Sequence, residues 1–289
     1  MMERVKNENA MSTENAREPV LKDRVMAYFD DNAEEWQDMY REQQRVVDVD
    51  MVERKRHVIE LVCMHLPAGS RILDVGCGAG HASLDLVQRG YVVQGLDIAQ
   101  KMIDHANRNR DAAGVSESQC TFICSDVSGA SFEPGSFDGV IALGVLQYQA
   151  NEVEELKIIG KLLRPDGLVV VTGPTLHRLT NFFSVLPRLK SAAQKLKRTL
   201  TGAQPPGQDV LVGISRNIYS VGRFNGLLCE SGFSPTGFRG HGYQNFSLIN
   251  RVLGYRGELF LYRVFTAIAR VVPIQRWANG LIVVGRKNG

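Results

Sequence analysis

The segment Arg71 to Gly80, with the sequence RILDVGCGAG, constrains the fold of this chain more than any other. It begins with apolar residues typical of a buried parallel strand and continues into three glycines at alternate positions, Gly76, Gly78 and Gly80. Glycine permits a sharp turn without Cβ collisions, so a ligand can approach the main-chain N–H groups at the start of a following helix. The segment therefore predicts a strand, a ligand-binding loop and a helix that begins near His81.

Further apolar runs repeat this alternation of strand and helix. Residues 91–97, 121–125, 137–143 and 168–172 each resemble a strand, and helical segments separate them, which indicates a parallel α/β sheet. Asp97 ends the second strand roughly 20 residues after the glycines, where a doubly wound fold places a carboxylate that binds ribose hydroxyls. Asp126 follows the third strand, where a side chain can reach an adenine amino group. Both aspartates favour a ribose-bearing cofactor.

Five segments together resemble the class I S-adenosylmethionine-dependent methyltransferases. They are LDVGCGAG at 73–80, GLDIAQKMIDHA at 95–106, CSDVSG at 124–129, FDGVIALGVLQY at 137–148 and LLRPDGLVVVT at 162–172, in the order and spacing of that family. The resemblance implies a Rossmann-like, seven-stranded, mainly parallel sheet with helices on both faces, an N-terminal helical lid and helical inserts. It also implies S-adenosyl-L-methionine as the cofactor.

The resemblance assigns the cofactor to the loops that follow the first four strands. The cofactor-binding residues that we expect are Asp74, Gly76, Cys77, Gly78, Gly80, Asp97, Ile98, Met102, Asp126, Val127 and Leu143. The glycines would pass beneath the methionine moiety, Asp97 would hold the ribose, and Asp126 with Val127 would flank the adenine. The family commonly has a histidine after the fourth strand, whereas this chain has glutamine and tyrosine there.

Tyr148, in that segment, is the residue expected to lie nearest the transferred methyl group and to line the acceptor site. His177 and His241 follow the fifth and sixth predicted strands and are candidate general bases, because the carboxyl ends of parallel strands face the ligand crevice. A surface or capping role is the alternative for each histidine, since each stands alone in a loop. By resemblance, Tyr28 and Tyr40 are candidate lid residues that line the substrate site. No metal site is expected.

The rest of the chain divides around this core. We interpret residues 1–20 as a disordered leader, 21–50 as the helical lid and 51–289 as the methyltransferase domain, with inserts at about 174–216 and 240–279. In the second insert Arg256, Arg263 and Arg270 recur every seven residues, near one face of an otherwise apolar helix. This helix is a candidate for a pocket wall, a homodimer interface or a peripheral membrane contact.

Composition narrows the classes of protein that fit. The 34 lysines and arginines against 31 acidic residues give a formal charge of +3, which does not call for a nucleic-acid partner. No run of 18 uncharged apolar residues occurs, and residues 1–20 lack the apolar core of a signal peptide. The five cysteines form no C-x-x-C pair, which favours reduced thiols in a cytoplasmic protein.

The predicted function is methyl transfer from S-adenosylmethionine to a small or lipid-like acceptor, on oxygen, in a biosynthetic or tailoring pathway. Transfer to nitrogen or carbon, and a non-catalytic S-adenosylmethionine-binding protein, are alternatives. An NAD-dependent dehydrogenase would have its third glycine one residue later than Gly80. A nucleic-acid amine methyltransferase often shows an Asn/Asp-Pro-Pro-aromatic signature after the fourth strand, where this chain has LGVLQY.

Overall fold

The computed structural model describes residues 21–42, 45–176, 209–211, 214–243, 247–272 and 274–289. The strands in these ranges are β1 (Arg71–Val75), β2 (Val92–Asp97), β3 (Cys120–Cys124), β4 (Phe137–Leu143), β5 (Leu163–Pro174), β6 (Asp209–Leu211), β7 (Ile214–Arg216), β8 (Phe233–His241) and β9 (Gly280–Lys287). The helices are α1 (21–31), α2 (Ala33–Arg41), α3 (Val46–His65), α4 (His81–Val87), α5 (Gln100–Ala112), α6 (Glu152–Leu162), α7 (Val221–Glu230) and α8 (Ser247–Val271). Two short 3-10 helices cover Leu146–Tyr148 and Gln275–Trp277.

Seven of the strands form one sheet in the order β3-β2-β1-β4-β5-β9-β8. Strands β1 to β5 pair in parallel, and β9 runs antiparallel to both β5 and β8. The carboxyl ends of β1, β2, β4, β5 and β8 therefore meet at one edge of the sheet. The predicted Rossmann-like, seven-stranded, mainly parallel sheet is confirmed.

Helices cover both faces of this sheet. Successive residues of each strand point to opposite faces, so each strand packs against helices on both sides. On one face Ile72 and Ile141 pack in a cluster with residues of α3, α4 and α5. On the other face Leu73 and Val140 pack with residues of α6 and α7. All four side chains are fully buried. This explains why the strands are apolar throughout rather than alternating with polar residues.

Two element boundaries differ from those predicted. Helix α3 begins at Val46 rather than at Met51, because the carboxylate of Asp48 accepts the backbone N–H of Arg45 at 2.7 Å and caps the helix start. The predicted lid boundary at residue 50 thus falls inside α3. Strand β5 begins at Leu163, before the turn in which Asp166 has a φ of 59°.

The predicted inserts are described in part. The predicted leader, His177 and the basic segment 178–208 lie outside the described residues. Strands β6 and β7, at the end of the first insert, pair antiparallel. The second insert contains α8, which has a non-helical residue at Gly254 and packs Tyr262 and Ala269 inward. Among the described helices, none is long and apolar enough to cross a lipid bilayer.

Candidate active site

A cavity lies at the carboxyl ends of β1, β2 and β4, the edge at which open α/β sheets bind ligands. The loops that follow these strands and β3 form its floor, and helices α1 and α2 lie across it. The predicted cofactor residues that line it are Asp74, Gly76, Cys77, Gly78, Asp97, Ile98, Met102, Asp126, Val127 and Leu143. Tyr40 and Tyr148 also line it. The structure therefore gathers most of the predicted site residues around one cavity.

The three loop glycines are required for different reasons. All have positive φ values, 68° at Gly76, 53° at Gly78 and 78° at Gly80, in the region that favours glycine. A Cβ on Gly76 would lie 2.3 Å from Val145, and one on Gly80 would lie 2.7 Å from Phe122. A Cβ on Gly78 would meet no atom within 4 Å, so this residue leaves open space at the cavity.

Gly80 is not among the residues that line the cavity, which corrects its predicted contact with the cofactor. It stands at the start of α4, and the ring of Phe122 and the side chain of Ala106 occupy the space beside its Cα. Gly80 thus allows α4 to pack closely on β3 and α5.

Asp97, at the end of β2, accepts hydrogen bonds from the glycine loop and from the loop that follows β2. Its Oδ2 accepts the N–H of Gly78 and its Oδ1 accepts the N–H of Ala99, each at 2.9 Å. Burial raises the pKa of Asp97 above its ordinary value, although these two N–H donors act in the opposite direction. A carboxylate has about four lone-pair sites, so Asp97 keeps acceptor capacity for hydroxyl donors from a ribose.

Asp74 lies at the end of β1 and is 1% exposed. The hydroxyl of Ser83 is 2.6 Å from its Oδ2. Burial raises the pKa of Asp74 to about 7, with Ser83 acting against this shift and the charge of Asp97 adding to it. Asp74 therefore titrates near neutral pH beneath the glycine loop.

Polar contacts attach α1 to the core on two sides of the cavity. Lys22 forms an ion pair with Asp126, and Asp30 accepts the N–H of Lys101 at the start of α5 at 2.9 Å. Partial burial would raise the pKa of Asp126, but its hydrogen bonds from Lys22 and from the N–H of Gly129 lower it below the ordinary value. Asp126 is thus an anion that holds the lid.

Aromatic rings form the underside of this lid. The ring of Phe29 lies 5.4 Å from that of Trp36 and 5.7 Å from that of Tyr148, and all three residues line the cavity. Tyr28 packs edge-on against Phe29 at 5.2 Å but does not line the cavity, which corrects its predicted contact with substrate. The helical turn places the side chain of Phe29, not that of Tyr28, toward the site.

Tyr40, on α2, stacks on His81 with ring centres 4.8 Å apart. His81 lines the cavity and was not among the predicted site residues. Burial, together with the positive charges of Lys55 and Arg41, lowers the pKa of His81 to about 4. The imidazole is therefore neutral at pH 7. Its position directly after the glycine loop is the sequence signal that could have identified it.

Arg54, on α3, is a second lining residue that was not among the predicted site residues. Its buried Nε has no hydrogen-bond partner among the described residues, within which it also forms no ion pair. A guanidinium in this situation favours an anionic ligand. The helical period carried a signal, since Val58 and Val62 share its face and are fully buried.

Tyr148 belongs to a short segment that contacts the chain beyond the first insert. The N–H of Asn217 donates to the carbonyl of Gln147 at 2.8 Å, and its side-chain amide donates to the carbonyl of Gln149 at 2.9 Å. Both glutamines and Glu155 line the cavity. The segment after β4 thus presents several polar side chains beside the cofactor loops.

His241 lies elsewhere, which corrects the expectation that it serves as a general base at the cofactor site. Its Nδ1 is 3.1 Å from Oδ1 of Asp50, near the start of α3, and the two side chains are 7% and 2% exposed. It lines a second cavity between α3, β8 and α8. The buried pair joins α3 to the end of β8.

The described ranges contain neither a metal-binding cluster nor a disulfide. Within them, no group of three or more histidine, cysteine, aspartate or glutamate side chains is arranged to hold a metal ion. All five cysteines are free thiols. The geometry therefore directs attention to the cavity under α1 and α2.

Comparisons with known proteins match this part of the chain. Residues 72–167 match the model of a methyltransferase domain family. Ubiquinone biosynthesis O-methyltransferase from Methylocella silvestris is 33% identical over 116 residues, which cover 40% of this chain and 43% of that protein. An 18S rRNA (guanine-N(7))-methyltransferase from Mus musculus is 32% identical over 113 residues, 39% of this chain and 37% of that protein. The chain thus matches less than half of the length of each relative.

A solved structure extends the likeness to nearly the whole chain. Magnesium protoporphyrin IX methyltransferase from Synechocystis PCC 6803, with bound SAH, matches 92% of this chain and 100% of that chain, with a TM-score of 0.61 and 17% identity. At this identity the likeness shows a shared fold. Residues 72–167, which include the glycine loop and Asp97, thus match a methyltransferase domain family, and the fold over most of the chain is that of a methyltransferase of known structure.

Proposed function

We propose that this protein transfers the methyl group of S-adenosyl-L-methionine to the oxygen of a small or lipid-like acceptor, in a biosynthetic or tailoring pathway. The observation that carries the proposal is the covered cavity lined by Asp97, Gly78 with open space beside it, and Arg54, whose Nε has no hydrogen-bond partner within the described residues. When bound, the cofactor supplies a methyl group on a positively charged sulfur for in-line attack by the acceptor.

The residues around the cavity fit the parts of this cofactor. Asp97 would accept hydrogen bonds from the ribose hydroxyls, and Arg54 would pair with the carboxylate of the methionine moiety. Ile98 and Met102 supply apolar surface at the cavity, beside the loop of Asp126, which suits the flat adenine ring. A Cβ at Gly78 would project into the space that the ligand needs.

Helices α1 and α2 would contribute to catalysis by excluding water and by aligning the acceptor with the methyl donor. Phe29, Trp36 and Tyr148 form a continuous aromatic contact over the cavity. Holding an acceptor and a methyl donor in attack geometry is worth roughly 7 to 11 kcal/mol in favourable intramolecular models. Little new charge has to be stabilised in this reaction, so position and desolvation would supply most of the acceleration.

The segment after β4 is the proposed acceptor side. Tyr148 and Glu155 line it and could take up or relay a hydroxyl proton, whereas His177 remains a predicted base outside the described residues. Similarity to an ubiquinone biosynthesis O-methyltransferase supports oxygen as the acceptor atom. Transfer to nitrogen or carbon is the alternative, since such acceptors can react without a base.

The relatives include an rRNA methyltransferase, so they do not support the predicted exclusion of nucleic acid. We favour a small or lipid-like acceptor because α1 and α2 lie across the cavity. A nucleic-acid acceptor calls for a broad basic surface with exposed aromatic residues around the site. Homodimer formation and a cytoplasmic location stay predictions.

Calorimetric titration with S-adenosylhomocysteine and, separately, with NAD tests the cofactor assignment. We expect binding of S-adenosylhomocysteine alone. Asp97→Asn should weaken it roughly 10- to 150-fold, because hydrogen bonds to a charged group contribute about 1.5 to 3 kcal/mol. Asp104→Asn makes the same chemical change at an exposed site on α5 and should leave the affinity unchanged. Equal affinities for the two variants would refute the ribose assignment.

Tyr148→Phe tests the acceptor side separately. This substitution keeps the ring that packs on Phe29 and removes only the hydroxyl. Turnover of hydrophobic hydroxyl acceptors should fall while the affinity for S-adenosylhomocysteine stays near that of the wild type. Loss of cofactor affinity with unchanged turnover would move Tyr148 from the acceptor site to the cofactor site.

A further inference from the structure

The C-terminal part of the chain differs in charge from the rest. Residues 231–289 contain the single acid Glu258 and eight cations, namely Arg239, Arg251, Arg256, Arg263, Arg270, Arg276, Arg286 and Lys287. This segment therefore carries a net +7. The whole chain carries +3, so the first 230 residues carry −4. Arg239 forms an ion pair with Glu60, and Arg286 and Lys287 lie at the far end of β9, whereas Arg256, Arg263 and Arg270 belong to α8.

Helix α8 arranges part of this charge around an exposed apolar row. Tyr262 and Ala269 face the core, at 3% and 7% exposure, whereas Phe260 and Val271 are 66% and 83% exposed. With about 3.6 residues per turn, Phe260 and Val271 lie three turns apart on nearly the same line, opposite the buried face. The outer surface of α8 thus has large apolar side chains in water.

Three arginines lie beside this row. Arg256, Arg263 and Arg270 are exposed along one flank, where Arg270 also borders the second cavity. Glu258, the one acid of the segment, is 8% exposed and lies on the buried side. None of the three arginines forms an ion pair within the part of the chain that the structure describes. We name the surface made by Phe260, Val271 and these arginines the outer face of α8.

We propose that the outer face of α8 binds the surface of an anionic lipid bilayer. Apolar side chains flanked by arginines are the pattern of helices that lie in the interface plane, where the apolar groups enter the lipid and the cations meet lipid phosphates. Trp277, which follows α8 in the chain, is 44% exposed and is a residue type suited to this interface.

Charge and polarity favour a lipid bilayer over two other binding partners, namely a second copy of the chain and a nucleic acid. A two-fold interface between copies of the chain would bring the same arginines toward one another without acids to offset them. A nucleic acid would pair with the arginines but would leave Phe260 and Val271 without an apolar partner. An anionic bilayer would accommodate both the apolar side chains and the arginines. The proposal does not depend on the proposed methyl transfer, since vesicle binding can be measured without cofactor.

Co-sedimentation with vesicles tests the proposal on the full chain. We expect binding to phosphatidylcholine mixed with phosphatidylglycerol, little binding to phosphatidylcholine alone, and weakening by salt. Phe260→Ser should lower the partition coefficient roughly tenfold, because it removes a large apolar side chain from the lipid contact. Met64→Ser is the matched control, since Met64 has the same 66% exposure on α3. It should have no effect.

A variant with fewer positive charges on α8 provides a second test in the same vesicle-binding experiment. The double substitution Arg263→Gln and Arg270→Gln should weaken binding to the anionic vesicles roughly tenfold or more, at about 1 kcal/mol for each cation near the surface. The double substitution Arg108→Gln and Lys161→Gln removes the same charge from exposed positions on α5 and α6. It should have a much smaller effect.

Three outcomes would overturn the proposal. One is no binding to anionic vesicles, or equal losses for each variant and its control. Another is a dimer in sedimentation analysis without vesicles that Phe260→Ser dissociates, which would make the outer face of α8 an interface between copies. The third is tighter binding to a single-stranded RNA oligonucleotide that the charge variant abolishes and Phe260→Ser leaves unchanged.

Discussion

Asp74 illustrates how the environment of a single side chain determines its charge. Its sequence context, an aspartate in the glycine-loop motif, does not reveal that it is 1% exposed with a pKa of about 7. Arg54 and His81 illustrate the same point, because both belong to helices whose sequence indicated no special role and both line the cavity. Burial and neighbouring charge depend on the packed structure.

The raised pKa of Asp74 predicts a dependence of stability on pH. Between the unfolded value of 3.8 and about 7, the unfolded chain loses a proton that the folded chain keeps, so the free energy of unfolding falls as pH rises, by up to about 4 kcal/mol. Asp74→Asn should remove this component. Thermal melts at about pH 5 and about pH 8 should therefore show the variant gaining stability relative to the wild type at the higher pH.

Asp104→Asn serves as the control for this measurement, because Asp104 is exposed and has no comparable burial. Its stability should follow that of the wild type at both pH values. If the difference between Asp74→Asn and the wild type were the same at both pH values, Asp74 would not be the titrating group.

Helices α1 and α2 form the element that covers the site, and their sequence predicted the element but not its contacts. A helical lid was predicted over residues 21–50, and both helices are present there. Phe29 faces the cavity, whereas Tyr28 packs beside Phe29. This difference depends on the rotation of α1 about its axis, to which the ion pair between Lys22 and Asp126 contributes. Long-range contacts of this kind leave no local pattern in the sequence.

The rotation of α1 leads to a prediction about adjacent residues. Phe29→Ala should weaken binding of S-adenosylhomocysteine roughly tenfold and increase its dissociation rate, because it removes the aromatic contact over the cavity. Tyr28→Ala, one position earlier, should change these values little. Stopped-flow binding and calorimetry measure both quantities. Equal losses in the two variants would indicate a general destabilisation of α1 rather than a specific cover.

At the scale of the whole molecule, the end of β8 joins elements far apart in sequence. His241 pairs with Asp50 across 191 positions, and Gly280 of β9 lies directly beside the histidine ring. A Cβ on Gly280 would lie 2.2 Å from Nε2 of His241, whereas a Cβ on Gly237, in β8, would meet no atom within 4 Å. Close packing at this junction positions α3, and with it Arg54.

Gly280→Ala should therefore lower the free energy of unfolding by about 1 to 3 kcal/mol, the usual effect of forcing a methyl group into a packed site. Gly237→Ala adds the same group to the neighbouring strand and should change stability by less than about 0.5 kcal/mol. Chemical denaturation measures both. A similar loss in the two variants would show that strand glycines, rather than the junction with His241, account for the effect.

The sequence by itself determined the order of strands and helices, the glycine loop and the place of Asp97 at the end of a strand, because apolar runs, glycine spacing and residues at strand ends are local patterns. The tertiary structure alone decided that Arg54 borders the cavity, that Phe29 rather than Tyr28 covers it, and that His241 is buried against Asp50. These facts depend on how elements distant in the chain pack together. Side-chain packing of that kind is a property of the folded molecule, and no stretch of sequence encodes it separately.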